Sequence, residues 1–267
     1  MTDDVRALAQ HYSDAAGTYE RTWAGALHPV SRKLLERLPL AGARRVLDVG
    51  TGVGTLLPAL RDAAPDALVA GIDRSPGMIA RAPADFPRVI TDAVRLPFGD
   101  GTFDVAVAAF MLFHLPDPPA GLREAHRVLA DCGVLGLATW GPDQPMKAVE
   151  IWLEELDRHG APPEESLLAN HEVVDTPEKV GELVAAAGFT DVDMRSVDWE
   201  FRPTLDEFVE RYTGLGLPAR RYAGLSQAAR AEFVAAARAR LAQLGPEDFV
   251  QRRTIVTGVA TARHSAD

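Results

Sequence analysis

Cysteine is almost absent. Cys132 is the only one in 267 residues, which excludes an intramolecular disulfide and a cysteine-built metal cluster. Lysine is nearly as scarce, with Lys33, Lys147 and Lys179 alone. No Lys/Arg-rich run exists and the net charge is −10, so the surface as a whole repels phosphate backbones, and tRNA, rRNA and DNA are disfavoured as partners. Long apolar runs are missing as well. The longest, 105–113, is far too short to span a bilayer, and no membrane partner is expected. The opening Met1-Thr2-Asp3-Asp4 lacks the basic and apolar regions of a signal peptide, so a cytoplasmic location is expected.

The remainder is ordinary for one compact enzyme. A chain of this length that is 47% hydrophobic buries a sizeable core. Its first half alternates strand-like and helix-like segments, which predicts a doubly wound α/β fold with a mostly parallel sheet. Strands are expected near 44–49, 68–72, 88–91, 103–110 and 133–140, with two more around 192–201 and 254–261, seven in all. Helices follow the crossovers, one announced by Ser75-Pro76 and another by the apolar spacing of 118–129. One domain over 1–267 is expected, with a core at about 41–140, 176–201 and 251–263. Three segments fall outside the minimal fold: 1–40, 141–175 with a helix at 146–159, and 202–250 with two helices. The Ala/Arg-rich stretch 228–242 reads as a solvated helix.

The most informative stretch is Val46-Leu47-Asp48-Val49-Gly50-Thr51-Gly52-Val53-Gly54. An apolar strand ends in an acid, and three alternating glycines then permit a sharp turn and a close approach to bare backbone N–H groups. A second apolar run, Leu68-Val69-Ala70-Gly71-Ile72, ends in Asp73, placed to take the two hydroxyls of a ribose. A third, Arg88-Val89-Ile90-Thr91, ends in Asp92. A lone Asp at a strand end usually caps the next turn. Acids closing successive strands point instead to a nucleoside pocket at the carboxyl edge of the sheet.

That constellation resembles the class I S-adenosylmethionine-dependent methyltransferases, and within them the small-molecule branch similar to ubiquinone and menaquinone methyltransferases, over about residues 11–140. The resemblance implies S-adenosyl-L-methionine as cofactor. Asp48, Gly50, Thr51 and Gly52 would hold its amino-acid end, Asp73 the ribose, and Asp92 with Ala93 the adenine. Arg74 and Met78 would flank the adenosine. The segment from Phe110 to His114 would lie beside the reacting methyl group, and the extra segments would form a substrate lid. The segment from Tyr12 to Glu20 resembles the family's opening helix, whose aromatics close over the cofactor. For Tyr19 a cofactor contact and a packing role are both open; Trp23, Trp140, Tyr212 and Tyr222 are expected to pack.

Methyl transfer is an in-line displacement that gains from positioning and water exclusion and needs no metal. A hydroxyl acceptor would also need a base, for which His114 is the best-placed candidate, with a shaping or hydrogen-bonding role as the other reading. His28 and His171 are secondary candidates, and His126 and His159 are expected to be structural or exposed. The apolar Ala109-Phe110-Met111-Leu112 stands where base-amino methyltransferases carry an Asn/Asp-Pro-Pro-aromatic motif. It suits an oxygen or carbon of a small, largely apolar metabolite as acceptor.

Two alternatives remain. A NAD-dependent oxidoreductase would want its third glycine at Thr55 and a Tyr-x-x-x-Lys pair, yet Pro29, Asp143 and Asp175 stand four before the lysines. A cyclase-like enzyme would use the same cofactor without methylating, a reading kept open by the lack of an unmistakable base. Gly224-Leu225-Ser226-Gln227-Ala228 lacks a strand leading into it and a final glycine, so it is no nucleophile elbow.

Overall fold

The computed structural model describes residues 3–163 and 170–264. Met1 and Thr2 of the expected leaderless start, and residues 164–169 of the expected lid segment, lie outside the described residues.

The chain opens with α1 (Asp3–Tyr19), a π-helical turn (Glu20–Ala24) and α2 (Gly25–Leu35). There follow β1 (Arg45–Val49), α3 (Leu57–Ala63), β2 (Leu68–Asp73), α4 (Pro76–Arg81), β3 (Arg88–Ile90), β4 (Phe103–Ala109), α5 (Pro118–Val128) and β5 (Leu129–Trp140). The second half runs through α6 (Lys147–Arg158), α7 (Pro177–Ala186), β6 (Phe189–Phe201), α8 (Leu205–Gly214), α9 (Leu217–Ala223), α10 (Gln227–Leu241) and β7 (Gln251–Ala262). The seven strands form one sheet in the order β3-β2-β1-β4-β5-β7-β6, in which β7 runs antiparallel to both neighbours. This is the expected doubly wound architecture. Val46, Leu47, Val105, Ala106 and Val107 have no exposed surface, as central parallel strands covered on both faces require.

Local chemistry sets the helix starts. The Ser75 hydroxyl accepts from the Met78 N–H ahead of α4, and the Asp117 carboxylate accepts from the Ala120 N–H at 2.9 Å ahead of α5, each followed by proline. Strand order reverses at β1, which lies between β2 and β4. A crevice therefore opens at the carboxyl ends of these strands, where Asp48 pairs in register with Gly71 on one side and Val107 on the other.

Three expectations need correction. β5 starts at Leu129 and β6 at Phe189, earlier than the apolar patterns imply. Cys132 and Asp191 at φ of 63° and 49°, with irregular pairing beside them, break the alternation at the strand starts. Residues 202–250 hold three helices, because Gly216, at φ of 85°, and Pro218 end α8 and start α9 anew. The helix at 228–242 is not merely solvated: Phe233, Ala237 and Leu241 are buried. Their four-residue spacing makes an apolar stripe that the Ala/Arg bias obscures. With Trp152 and Phe208 they form a second apolar cluster, the Trp152 and Phe233 rings meeting edge to face at 4.7 Å. Buried Arg211, on α8, ties this helical layer to the π-helical turn. It lies over the Trp23 and Phe201 rings at 4.1 Å each and donates to the Thr22 carbonyl. No described helix is long and apolar enough to cross a membrane.

Candidate active site

A cavity of about 490 Å³ opens at the carboxyl edge of the sheet, with α1, Trp23, Trp140, His171 and α9 around it. Gly50, Gly52 and Gly54 follow β1 at φ of 74°, 57° and 76°, values that side chains rarely tolerate. A Cβ on Gly50 would sit 2.6 Å from the Met111 Cβ, whereas one on Gly52 would meet only the Tyr19 ring, at 3.9 Å. The loop is thus clamped under the segment after β4, while its Gly52 face stays open to a ligand.

Asp73 closes the loop from the neighbouring strand. Its carboxylate accepts from the Gly52 N–H at 3.0 Å and from the Ser75 N–H at 2.8 Å. Burial pushes its pKa up, and these backbone donors pull it down. Asp92 accepts from the Val94 N–H at 3.2 Å and lines the same cavity beside buried Ala93. Arg74 donates to the His114 carbonyl at 2.5 Å and keeps one buried amine without a partner among the described residues. Met78 is buried against Tyr12, Tyr19 and Val53. Phe110 holds φ of 58°, an uncommon value for a residue other than glycine and one often found where function requires it. Its ring lies 4.9 Å from that of Trp140.

Asp48 is 2% exposed and accepts from the Thr51 hydroxyl at 2.7 Å. It faces a smaller void behind the loop, shared with Gly50, Thr51, Tyr19 and His28. Desolvation raises its pKa from 3.8 to about 7, with Thr51 opposing and Asp73 reinforcing the shift. A group whose pKa is raised by folding stabilises the fold fully below its unfolded value, and that contribution is lost as pH rises towards the folded one. In the ligand-free protein this loss, running from about pH 4 to pH 7, amounts to as much as ~1.4 kcal/mol per pH unit. Asp48→Asn is therefore expected to gain stability relative to the parent across that window in thermal scans. Parallel curves for the two proteins would disprove the assignment.

Sequence reasoning missed one partner. The Tyr12 hydroxyl hydrogen-bonds His114 Nε2 at 2.9 Å, 102 residues away in the chain. The signal was the seven-residue spacing of Tyr12 and Tyr19, which puts both on one face of α1. Burial, then Arg74, lowers the His114 pKa well below 6.5, keeping the imidazole neutral, and burial raises that of Tyr12. His171, a secondary candidate, lines the cavity and stacks on Phe113 at 4.3 Å. His28 reaches only the smaller void. His126, edge-on to Phe189, and His159, bound to the Glu155 carbonyl at 2.8 Å, lie elsewhere. Tyr212 and Tyr222 pack in the helical layer. Trp23 and Trp140 pack as expected but also line the cavity.

Comparison with known proteins agrees with this geometry. A family model described as a methyltransferase domain matches residues 47–137. The chain is 30% identical over 188 residues to a malonyl-(acyl-carrier protein) O-methyltransferase of Dechloromonas aromatica, covering 70% of this chain and 67% of that one. It is 31% identical over 220 residues to nocamycin O-methyltransferase of Saccharothrix syringae, covering 74% and 78%. The chain belongs to the class I S-adenosylmethionine-dependent methyltransferases. Among solved structures, the cyclase SpnF shares the fold at a TM-score of 0.57 and 23% identity, over 89% of this chain and 81% of that one. The methyltransferase is of the small-molecule type and S-adenosylmethionine is its cofactor; the dinucleotide alternative falls away. The site fits that group: strand-end carboxylates, the open Gly52 face and an unpartnered Arg74 amine all meet at the cavity or beside it.

Proposed function

We propose that this methyltransferase acts on an oxygen or carbon of a small acceptor with an apolar body. The observation that carries this reading is that Gly50, Gly52, Asp73 and Asp92 share one cavity with the Tyr12–His114 pair and an aromatic wall of Trp23, Phe110 and Trp140. When bound, the cofactor supplies a methyl group on a positively charged sulfur. In this reading Asp48, Thr51 and the Gly50–Gly52 backbone hold its amino-acid end, and Asp73 takes the ribose. Asp92 and Ala93 take the adenine edge, Arg74 and Met78 flank the nucleoside, and Tyr19 and Phe110 close over it. The helical layer acts as the lid that keeps water out. With its Nε2–H donating to the Tyr12 oxygen and its carbonyl held by Arg74, neutral His114 keeps Nδ1 unprotonated to accept the acceptor's proton.

Calorimetry with S-adenosylhomocysteine, combined with transfer of labelled methyl from S-adenosylmethionine into small acceptors, tests the proposal. One-to-one binding and label in an oxygen- or carbon-methylated product are expected. Cofactor binding with no label in any product would favour a cyclase-like, non-methylating role, and label recovered in nucleic acid would overturn the small-acceptor reading.

A further inference from the structure

Arg253 projects from β7 into the cavity, and its side chain is only 10% exposed. The guanidinium lies over Trp140 at 4.5 Å, and Trp140 packs in turn on Phe110. One amine donates to the Gly141 carbonyl at 2.8 Å and sits 3.0 Å from the Asp143 carboxylate. The buried Nε has no hydrogen-bond partner among the described residues.

This is an incompletely satisfied cation. Burying a guanidinium is costly unless its donors are used, and the one acid paired with it among the described residues, Asp143, has a side chain 85% exposed to water. Orphaned guanidinium nitrogens also occur on Arg37, Arg74 and Arg211. Arg37 and Arg211 stand outside the cavity, Arg74 lines it next to Asp73 and is taken up by the nucleoside in the reading above, and Arg253 lines it beside Trp140, where an acceptor can reach it. Asp73 and Asp92, the other acids of the cavity wall, lie at the carboxyl ends of β2 and β3, well across the sheet from β7. A planar fork of N–H donors matches a carboxylate in shape and charge.

We propose that Arg253 binds a carboxylate carried by the acceptor, with the acceptor's apolar body lying along Trp140 and Phe110. The inference rests on the reading of this cavity as the acceptor chamber. The ionised group is held at β7, beside the Trp140 ring that also packs on Phe110. Asp143 gives way to it and returns to water.

The test uses two matched probes, 2-naphthoate and 2-naphthamide, titrated into the full chain at saturating S-adenosylhomocysteine and followed by calorimetry or ligand-observed NMR. The parent should prefer the acid by about tenfold or more, the effect expected of one buried charge-assisted pair. Arg253→Gln should abolish that preference and leave affinity for the amide and for S-adenosylhomocysteine within about twofold. Arg253→Lys keeps the charge over Trp140 but not the fork, and should retain only part of the preference; it decides the matter should the Gln variant fail to fold. Equal affinities in the parent, a preference that survives in Arg253→Gln, or failure of both probes to bind would each overturn the proposal. Loss of S-adenosylhomocysteine binding in the parent would instead overturn the reading beneath it.

Discussion

Asp73→Ala should weaken S-adenosylhomocysteine binding by about 30- to 1,000-fold, or ~2–4 kcal/mol, while the protein stays folded. Two effects add. The ribose would lose charge-assisted hydrogen bonds to the carboxylate, each stronger than a bond between neutral groups. The Gly52 and Ser75 N–H groups would lose the acceptor that now holds them at 3.0 and 2.8 Å, so the glycine loop would lose a brace as well. The fold should survive because the carboxylate is itself costly to bury: its pKa is pushed up by desolvation, against the pull of those same donors. Asp73→Asn separates the two effects. It retains one oxygen acceptor and removes the charge, so an intermediate loss is expected. Calorimetric titration of each variant, with circular dichroism to verify folding, measures both. Unchanged affinity in a folded Asp73→Ala protein would show that the ribose sits elsewhere.

The parts of the site that are legible in the sequence are those whose geometry is local. A parallel strand covered on both faces is a short apolar run, and the residue closing it stands at the carboxyl edge by construction. The apolar runs alone therefore place Asp48, Asp73 and Asp92 on one edge of the sheet. The glycine loop is legible because its three positive-φ positions demand glycine. Contacts between distant segments leave no such local trace. The bond from Tyr12 to His114 joins α1 to the turn after β4, and nothing in either segment names the other. Arg253 reaches the cavity only because β7 runs antiparallel beside β5, which brings the Arg253 guanidinium over the Trp140 ring. The burial of α10 is hidden for a different reason. Alanine and arginine dominate its composition, so its apolar stripe is narrow and depends on Trp152 and Phe208 from other helices to become a core.

His114→Ala should lower kcat by about 10²- to 10⁴-fold, the usual worth of a positioned acid–base group, with S-adenosylhomocysteine affinity within about threefold of the parent. The imidazole is placed for the role from two directions. Arg74 fixes its backbone carbonyl at 2.5 Å, and Tyr12 fixes Nε2 at 2.9 Å. Burial and the Arg74 charge keep it neutral, with a pKa well below 6.5, so it is free to accept a proton throughout the neutral range, and activity should show no acid limb above pH 6.5. The same depression makes it a weak base, which predicts a dependence on the acceptor. An acceptor whose hydroxyl is already acidic needs little help, so the loss in His114→Ala should shrink as acceptor acidity rises, while an alcohol should suffer the full loss. Tyr12→Phe should cost less, about tenfold, because it frees the ring without removing it. A loss of equal size for every acceptor would assign His114 to positioning instead. Full activity in His114→Ala would remove it from the chemistry altogether and leave the Tyr12 contact as packing.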